Sequence, residues 1–319
     1  MQLIRPVRLD RDPWRGWRCR RRERLLSPPE RVFDALVDAG QLARWWCDEI
    51  DIAPRAGGVY SCRGRSHFAV EDEGVAMDDE DDSAADGVRD GEILEFEAPH
   101  VLAYRWRIGH VDTIVRFELE SALEQTDLTI TQTAASSPAW DRAATEPNWW
   151  SIALANLRAH VDADTPRLRL DYEQLRSGAV MRFEVSVMTF PWVIWSKLTD
   201  RNELSRWWGD SPGVTIDIGR GVDGEFRLAD TPPGPTRVLA VEPGARFLHD
   251  FVWDESSTSR VEWRIEEGED ATRIEVSDDS RPTAPHERLR RGIYWANTLL
   301  DLARFSTRGV SGREFQDPW

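Results

Sequence analysis

Several short stretches of the chain alternate between apolar and polar positions. In 102–107, 260–265 and 273–276, every second residue is apolar and its neighbours are small or charged. Successive side chains of a strand point to opposite faces, so this period of two predicts strands that bury one face and leave the other in solvent. Strands of this kind are typical of antiparallel sheets.

A second pattern, with the period of a helix, closes each half of the chain. Apolar residues recur there at intervals of three and four, which places them on one face of a helix. They are Trp150, Leu154, Leu157 and Val161 in the first half, and Trp295, Leu299 and Leu302 in the second. Each long helix can cover the apolar face of a curved sheet, so we expect a sheet wrapped around a helix.

The chain also repeats itself. Residues 29–48 read PERVFDALVDAGQLARWWCD, and residues 191–210, at a shift of 162 positions, read PWVIWSKLTDRNELSRWWGD. Beyond this motif the halves continue to match at shifts near 146, where Phe117 corresponds to Trp263. Self-similarity of this length indicates two copies of one domain.

Each copy is predicted to run from a strand through two short helices and about six strands to one long helix. The fold class is therefore α+β, with two tandem domains, each a curved antiparallel sheet around its C-terminal helix. Pro166 cannot continue the helix before it, which places the boundary between the copies nearby. The predicted divisions are an N-terminal extension 1–17, a first domain 18–162, a linker 163–178, a second domain 179–307 and a C-terminal tail 308–319.

An acidic segment, 71–90, accounts for most of the extra length of the first copy. It holds ten acidic residues and one arginine, and like charges at this density repel each other rather than pack. We therefore predict a solvated loop insertion in the first domain. A cation site or a partner site in this segment is the alternative interpretation.

The charge, the hydropathy and the cysteine content indicate where the protein is located and which classes of partner it lacks. The net charge is −16, from 41 basic and 57 acidic residues, whereas nucleic-acid binding needs a basic surface. No apolar run approaches the ~20 residues of a membrane-spanning helix, and the N-terminus lacks the apolar core of a signal peptide. Cys19, Cys47 and Cys62 do not make a disulfide scaffold. We expect a cytoplasmic protein with no nucleic-acid partner and no membrane insertion.

Three adjoining motifs resemble those of a known family. A proline-led helix ends in aspartate, Leu-x-Arg-Trp-Trp follows, and a glycine-aromatic strand comes next, Gly57-Gly58-Val59-Tyr60 in the first copy and Gly224-Glu225-Phe226 in the second. This resembles the activator-of-heat-shock-protein-90-ATPase homologue family, part of the START-like helix-grip (SRPBCC) superfamily. The resemblance implies two helix-grip domains, each with two short helices after the first strand and an apolar cavity between sheet and helix. Such cavities commonly hold hydrophobic molecules.

Catalytic and metal-binding motifs are absent from the sequence. The six histidines are scattered, and neither HExxH nor CxxC spacing occurs. GxGxxG, GxxxxGK[ST] and GxSxG are missing too. We therefore predict no metal and no cofactor, and the sequence assigns no catalytic residue. Cys47 follows the tryptophan pair, but no histidine is placed by sequence to activate it.

Strand parity and the helix face select the candidate ligand-binding residues. The first copy offers Tyr104, Trp106, Phe117 and Trp150, and the second offers His249, Phe251, Trp253, Trp263, Trp295 and Leu299. The second cavity is favoured, because a histidine in an apolar pocket can hold a polar group of a ligand. A core histidine bonded to a backbone carbonyl is the competing interpretation of His249.

The function predicted from these features is binding of a hydrophobic or aromatic small molecule, without catalysis. Sixteen tryptophans are consistent either with an aromatic-lined cavity or with an aromatic core. An aromatase/cyclase-like or other enzyme on the same fold is the first alternative. A co-chaperone-type module with a protein partner is the second.

Overall fold

A computed structural model gives two compact units, which are described separately here as the first and second domains. The described residues are 17–63, 91–108, 111–135, 145–162, 168, 170, 175, 180–208, 215–217, 224–228, 233–280 and 285–308. The acidic insertion 71–90 lies outside them, as do nearly all of the N-terminal extension and the C-terminal tail and most of the linker. The predicted domain boundaries therefore stay predictions.

The first domain follows the predicted order of elements. Strand β1 (Trp17–Leu25) leads into two short helices, six strands and a long helix. These are α1 (Pro29–Val37), α2 (Ala39–Trp45), β2 (Glu49–Ile52), β3 (Val59–Arg63), β4 (Gly91–Glu97), β5 (Val101–Ile108), β6 (Val111–Ala122), β7 (Gln125–Ala134) and α3 (Thr145–Asp162). The strands form one antiparallel sheet in the order β1-β7-β6-β5-β4-β3-β2.

The second domain repeats this order. Its elements are β8 (Met181–Val187), α4 (Pro191–Thr199), α5 (Arg201–Trp207), β9 (Thr215–Ile216), β10 (Phe226–Arg227), β11 (Gly234–Glu242), β12 (Arg246–Asp254), β13 (Ser257–Glu267), β14 (Thr272–Asp278) and α6 (Pro285–Arg308). Five strands form an antiparallel sheet in the order β11-β12-β13-β14-β8. The predicted α+β class with two tandem sheet–helix domains is confirmed.

The copies differ at the hairpin after the tryptophan pair. In the first domain β2 and β3 belong to the main sheet, and a Cβ at Gly58 would lie 2.0 Å from the carbonyl oxygen of Ala53. Only glycine permits that close approach. In the second domain, among the residues that the structure describes, β9 pairs with β10 and one bridge joins Glu225 to Arg237 of β11.

The repeated proline and aspartate start the short helices. Pro29 and Pro191 lie in the first turn of their helices, where a missing N–H removes no helical hydrogen bond. Asp38 caps α2 by accepting the backbone N–H of Gln41 at 2.8 Å, and Asp200 caps α5 in the same way. The repeat therefore encodes the same helix–turn–helix unit in both domains.

The first tryptophan of each pair joins the two short helices. Trp45 Nε1 donates to the carbonyl of Ala35 at 2.9 Å, and Trp207 Nε1 donates to the carbonyl of Lys197 at 2.8 Å. Both indoles are buried and end the second short helix. Each bond satisfies a buried indole N–H and fixes the angle between the helices. Among the described helices, none has the combination of length and hydropathy needed to cross a bilayer.

Candidate functional site

The interface between sheet and long helix of the first domain is lined by aromatic rings. Trp150 of α3 lies at its centre, with ring centroids 5.9 Å from Phe117, 6.2 Å from Trp106 and 5.6 Å from Trp46. The contacts are tilted or edge-to-face, the geometry that aromatic quadrupoles favour. Trp106 is partly exposed, whereas the other three rings are buried. Trp106 therefore stands at the edge of an otherwise enclosed cluster.

A chain of buried hydrogen bonds connects these rings. Trp150 Nε1 donates to Gln132 Oε1 at 2.8 Å, and Gln132 Nε2 donates to Thr113 Oγ1 at 2.9 Å. The Thr113 hydroxyl in turn donates to the carbonyl of Trp106 at 2.8 Å. Gln132 and Thr113 are fully buried, so each of these bonds compensates for the desolvation of a polar group.

Replacing Gln132 by leucine is expected to lower the free energy of unfolding by about 1–3 kcal/mol. The change introduces an apolar side chain of similar size and leaves Trp150 Nε1 without its acceptor. Urea denaturation followed by tryptophan fluorescence measures the effect. The matched control is Gln125→Leu on the same strand, a partly exposed position expected to change stability by less than about 0.5 kcal/mol. Equal effects of the two substitutions would contradict the hydrogen-bond account.

The second domain has a larger ring cluster at the equivalent interface. Trp295 of α6 is buried, and it contacts four buried aromatic rings of other elements as well as Tyr294 of its own helix, 5.1 Å away. Its ring centroid lies 4.9 Å from Phe251, 5.9 Å from Trp253, 6.0 Å from Trp263 and 6.1 Å from Trp208. The residue of the second domain that corresponds to Trp106 in strand register, Phe251, is fully buried. This cluster is therefore more enclosed than the first.

A buried carboxylate anchors the second cluster. Trp295 Nε1 donates to Asp278 Oδ2 at 2.6 Å, and the hydroxyl of Ser259 and the backbone N–H of Ser280 also bond this carboxyl group. Trp253 Nε1 donates to Ser259 Oγ at 3.1 Å, which extends the chain. Burial raises the pKa of Asp278, and these hydrogen bonds partly oppose it.

The two hydrogen-bond chains occupy equivalent positions. At the shift of 146, Gln132 corresponds to Asp278 and Thr113 to Ser259. Each copy thus ties the indole N–H of its long helix to a polar residue of its last strand. The amide of the first domain is replaced by a carboxylate in the second.

A buried arginine, Arg291, accompanies that carboxylate. Its side chain is 5% exposed, its guanidinium lies 4.9 Å from the ring centroid of Trp253, and Nη2 donates to Ser257 Oγ at 3.0 Å. Burial lowers the pKa of Arg291, while Glu287 and Asp278 raise it. The second interface therefore contains two charged groups, Arg291 and Asp278, and both already bond or contact neighbouring side chains.

His249 is completely enclosed in the second cluster. Its Nε2 accepts the indole N–H of Trp263 at 3.3 Å, so the proton is on Nδ1, which donates to the carbonyl of Asp250 at 3.1 Å. The rings of Phe226 and Phe247 lie 5.0 and 5.4 Å away. Burial lowers the pKa of His249 to about 4. The imidazole is therefore neutral near pH 7, and both of its nitrogens are used within the protein.

Two stacked tyrosines lie on the sheet side of the first cluster. The rings of Tyr60 and Tyr104 are 4.1 Å apart and nearly parallel, and both are buried. The Tyr60 hydroxyl donates to the carbonyl of Leu36 at 3.1 Å. Burial is the main cause that raises the pKa of each phenol well above its ordinary value. Both side chains are therefore neutral hydroxyl donors across the physiological range.

The predicted binding residues fall into the two sheet–helix interfaces. The first cluster contains Tyr104, Trp106, Phe117 and Trp150, and the second contains His249, Phe251, Trp253, Trp263 and Trp295. Leu299 lies buried on the same helix as Trp295. Ligand binding by these ten residues stays a prediction.

Sequence reasoning missed several members of the two clusters. They are Trp46, Tyr60, Thr113 and Gln132 in the first domain, and Trp208, Phe226, Ser259 and Asp278 in the second. The repeat carried the necessary signal, because each residue of the first group aligns with one of the second. Among the described residues, no three His, Cys, Asp or Glu side chains are placed to hold a metal ion.

Comparison with known families identifies both halves of the chain. The model of a family described as Activator of Hsp90 ATPase homolog 1-like protein matches residues 27–162 and 189–305. These two segments make up most of the sequence and contain both clusters. No curated protein matches the chain.

Three solved structures illustrate what the chain is similar to. CalU16 from Micromonospora echinospora is 21% identical over 46% of this chain and 76% of its own, with a TM-score of 0.35. DynU16, a protein of the dynemicin biosynthetic locus, is 18% identical over 91% of this chain and 99% of its own, with a TM-score of 0.38. The Aha1 dimer from Colwellia psychrerythraea is 17% identical over 41% of this chain and 98% of its own, with a TM-score of 0.35.

Proposed function

Because the chain belongs to the Activator of Hsp90 ATPase homolog 1-like protein family, we propose that it binds a hydrophobic or aromatic small molecule between sheet and helix of the first domain. The observation that carries this proposal is Trp106, which is partly exposed at the edge of a buried ring cluster. Apolar pockets with a few polar groups are the usual form of small-molecule sites. An aromatic ligand would extend the edge-to-face contacts already made by these rings.

The first domain is favoured as the ligand site because the polar groups in the cluster of the second domain already bond other groups of the protein. The second-domain counterpart of Trp106, Phe251, is fully buried, and the next ring on the same strand face, Trp253, is buried and covered by the Arg291 guanidinium. His249 has partners at both ring nitrogens. A ligand entering that cluster would have to displace bonds that the protein makes within itself, at about 1–3 kcal/mol for each buried group left unpaired.

Binding without chemical conversion fits the first cluster better than catalysis. A general acid or base must reach the reacting atoms with a proton to give or accept. The buried polar groups beside Trp150, which are Gln132 and Thr113, are committed to one another and to the indole. They support the fold of the cluster and leave it apolar.

A fluorescent apolar amine, N-phenylnaphthylamine, tests this function directly. We expect saturable binding to the full chain and about fivefold weaker binding to Trp106→Ala, because the lost ring contacts are worth about 1 kcal/mol. The control is Trp192→Ala, which removes an exposed tryptophan of the second domain and should leave the affinity unchanged. Absence of saturable binding, or equal affinities of the two variants, would contradict a site at Trp106.

A protein-interaction role is the second candidate, and one surface feature favours it. Met188, Phe190 and Trp192 are 85%, 64% and 67% exposed at the start of α4, and the last two rings stack. Contiguous exposed apolar side chains often mark interaction sites. The family description suggests Hsp90 as the partner to try. Under this alternative the protein would raise the ATPase rate of Hsp90, and Trp192→Asp would abolish the increase.

A further inference from the structure

The second domain exposes an aromatic patch where β8 leads into α4. The patch consists of Met188, Phe190 and Trp192, each of which is more than half exposed, and the rings of Phe190 and Trp192 stack with their centroids 6.4 Å apart. Adjacent large apolar side chains in solvent often mark a surface that another molecule covers. The chemistry around the patch indicates what that molecule is.

The first domain shows that the fold does not require these rings. At the shift of 162, Phe190 corresponds to Pro28 and Trp192 to Glu30. Glu30 lies in the first turn of α1, where a carboxylate interacts favourably with the positive end of the helix dipole. Trp192 occupies the same turn of α4 without this benefit and without being buried. The second domain thus carries an exposed aromatic pair that neither helix formation nor core packing favours.

An acidic hairpin lies beside the aromatic patch. Residues 266–270, at the turn between β13 and β14, read Glu-Glu-Gly-Glu-Asp, and all five are exposed. Thr272 of β14 pairs with Glu267 on one side and with Val187, the last residue of β8, on the other. The Thr272 hydroxyl also donates to the carbonyl of Thr189. The acidic hairpin and the aromatic patch therefore lie at the same end of the sheet.

Most of the charge of the acidic hairpin is available to a partner. Glu267, Glu269 and Asp270 form no ion pair with any residue that the structure describes, and the fourth carboxylate pairs with Arg273. In the first domain the equivalent residues, at the shift of 146, are 120–124, which read Glu-Ser-Ala-Leu-Glu and hold two acidic residues instead of four. The strongly acidic hairpin and the exposed aromatic pair thus occur together, in one copy of the repeat.

This charge distribution disfavours two of the possible occupants. An anionic membrane, or a second copy of the chain docked through the same surface, would bring like charges together. The three side chains of the patch offer at most ~150–250 Å² each, which is less than the ~800 Å² that each partner of a stable protein interface buries. A short positively charged segment fits both the size and the charge.

We propose that the aromatic patch and the acidic hairpin together bind a cationic amphipathic segment of a partner protein. Apolar residues of the segment cover Phe190 and Trp192, and its lysines or arginines reach the carboxylates of the hairpin. A lysine or arginine also gains a favourable cation–π contact over the face of Trp192. The inference goes beyond small-molecule binding in the first domain and does not depend on it.

A fluorescein-labelled amphipathic peptide made only of leucine and lysine tests this surface on the full chain. We expect saturable binding at about 0.15 M salt, and binding at least about tenfold weaker in Trp192→Glu. The substitution introduces the residue that the first domain has at this place, so the melting temperature should not change. It also adds a negative charge, so attraction by net charge alone would leave the affinity unchanged or raise it.

Two pairs of substitutions separate the acidic hairpin from the overall acidity of the chain. Glu269→Gln with Asp270→Asn removes two charges from the hairpin and should weaken peptide binding about fivefold. Glu120→Gln with Glu124→Gln removes two charges from the equivalent hairpin of the first domain and should change the affinity by less than about twofold.

Four results would overturn the proposal. They are a parent protein that binds no peptide, equal losses in the two charge-removal pairs, unchanged affinity in Trp192→Glu, and binding of phosphatidylglycerol vesicles or of a leucine–glutamate peptide as tight as that of the lysine peptide. N-phenylnaphthylamine binding at Trp106 is measured separately, so this inference and the proposed function fail independently.

Discussion

Replacing Trp295 by alanine is expected to lower the free energy of unfolding of the second domain by about 3–5 kcal/mol. The indole is fully buried, and it contacts five other aromatic rings. The substitution removes those contacts and also leaves Asp278, a buried carboxyl group, without the donor at 2.6 Å. The loss of this one hydrogen bond from a buried carboxyl group adds to the packing cost, so the upper end of the range is expected. Urea denaturation of the full chain, followed by near-ultraviolet circular dichroism, measures the loss.

Two further variants separate the parts of this effect. Trp295→Phe keeps one aromatic ring but loses the N–H and a third of the indole ring atoms, so it should cost less than Trp295→Ala, about 2–3 kcal/mol. Trp192→Ala removes an indole that is 67% exposed and should change stability by less than about 0.5 kcal/mol. The packing account is wrong if Trp295→Ala is no more destabilising than Trp192→Ala.

Acidification from pH 6.5 to pH 4 is expected to cost the second domain about 3 kcal/mol through His249. Its pKa is about 4 in the folded protein, below the ordinary value of 6.5, because burial disfavours the charged imidazolium. In this window the unfolded chain binds the proton and the folded chain does not. The contribution of the neutral ring is therefore complete above pH 6.5 and is lost as the pH falls towards 4.

His249→Gln isolates this contribution. Glutamine does not titrate and retains an oxygen that can accept the indole N–H of Trp263. All other titrating groups are common to both proteins, including Asp278, whose raised pKa acts with the opposite sign. The difference in unfolding free energy between parent and variant should shrink by about 3 kcal/mol from pH 6.5 to pH 4. A difference that does not vary with pH would refute the buried neutral histidine.

The order of elements could be predicted from the sequence because it depends on local patterns. Period-two stretches such as 260–265 became the central strands, and the helical stripe from Trp295 became the covering helix. The repeat of 29–48 then fixed the number of domains. The pairing of β9 with β10 could not be predicted, because it depends on backbone contacts that no periodicity encodes.

The candidate site was only partly predictable. Strand parity brought Tyr104, Trp106 and Phe117 to one face, as the ring contacts confirm. Parity does not reveal which polar residues are buried, so Gln132 escaped notice although it bonds the indole of Trp150. Hydrophobic patterns count a glutamine as a solvent-facing residue, and its true environment follows only from the packing of the helix onto the last strand.

The state of His249 depends on strand register. Its partner Trp263 lies on β13, where His249 pairs with Val261 two residues earlier. A diagonal contact of this kind is within reach of long side chains, yet a shift of the register by one residue would turn Trp263 to the opposite face. The sequence shows that His249 and Trp263 are present, but the hydrogen bond between them depends on the register of the two strands.

The adjacent tryptophans of the first domain impose an order on its assembly during synthesis. Trp45 finds its acceptor, the carbonyl of Ala35, ten residues back along the chain. Trp46 must wait for Trp150, which a ribosome makes only after the entire sheet has been translated. Until the closing helix emerges, the Trp46 indole of a nascent chain therefore lacks the ring of Trp150 that packs against it. Chaperones that recognise exposed aromatic side chains have that interval in which to bind.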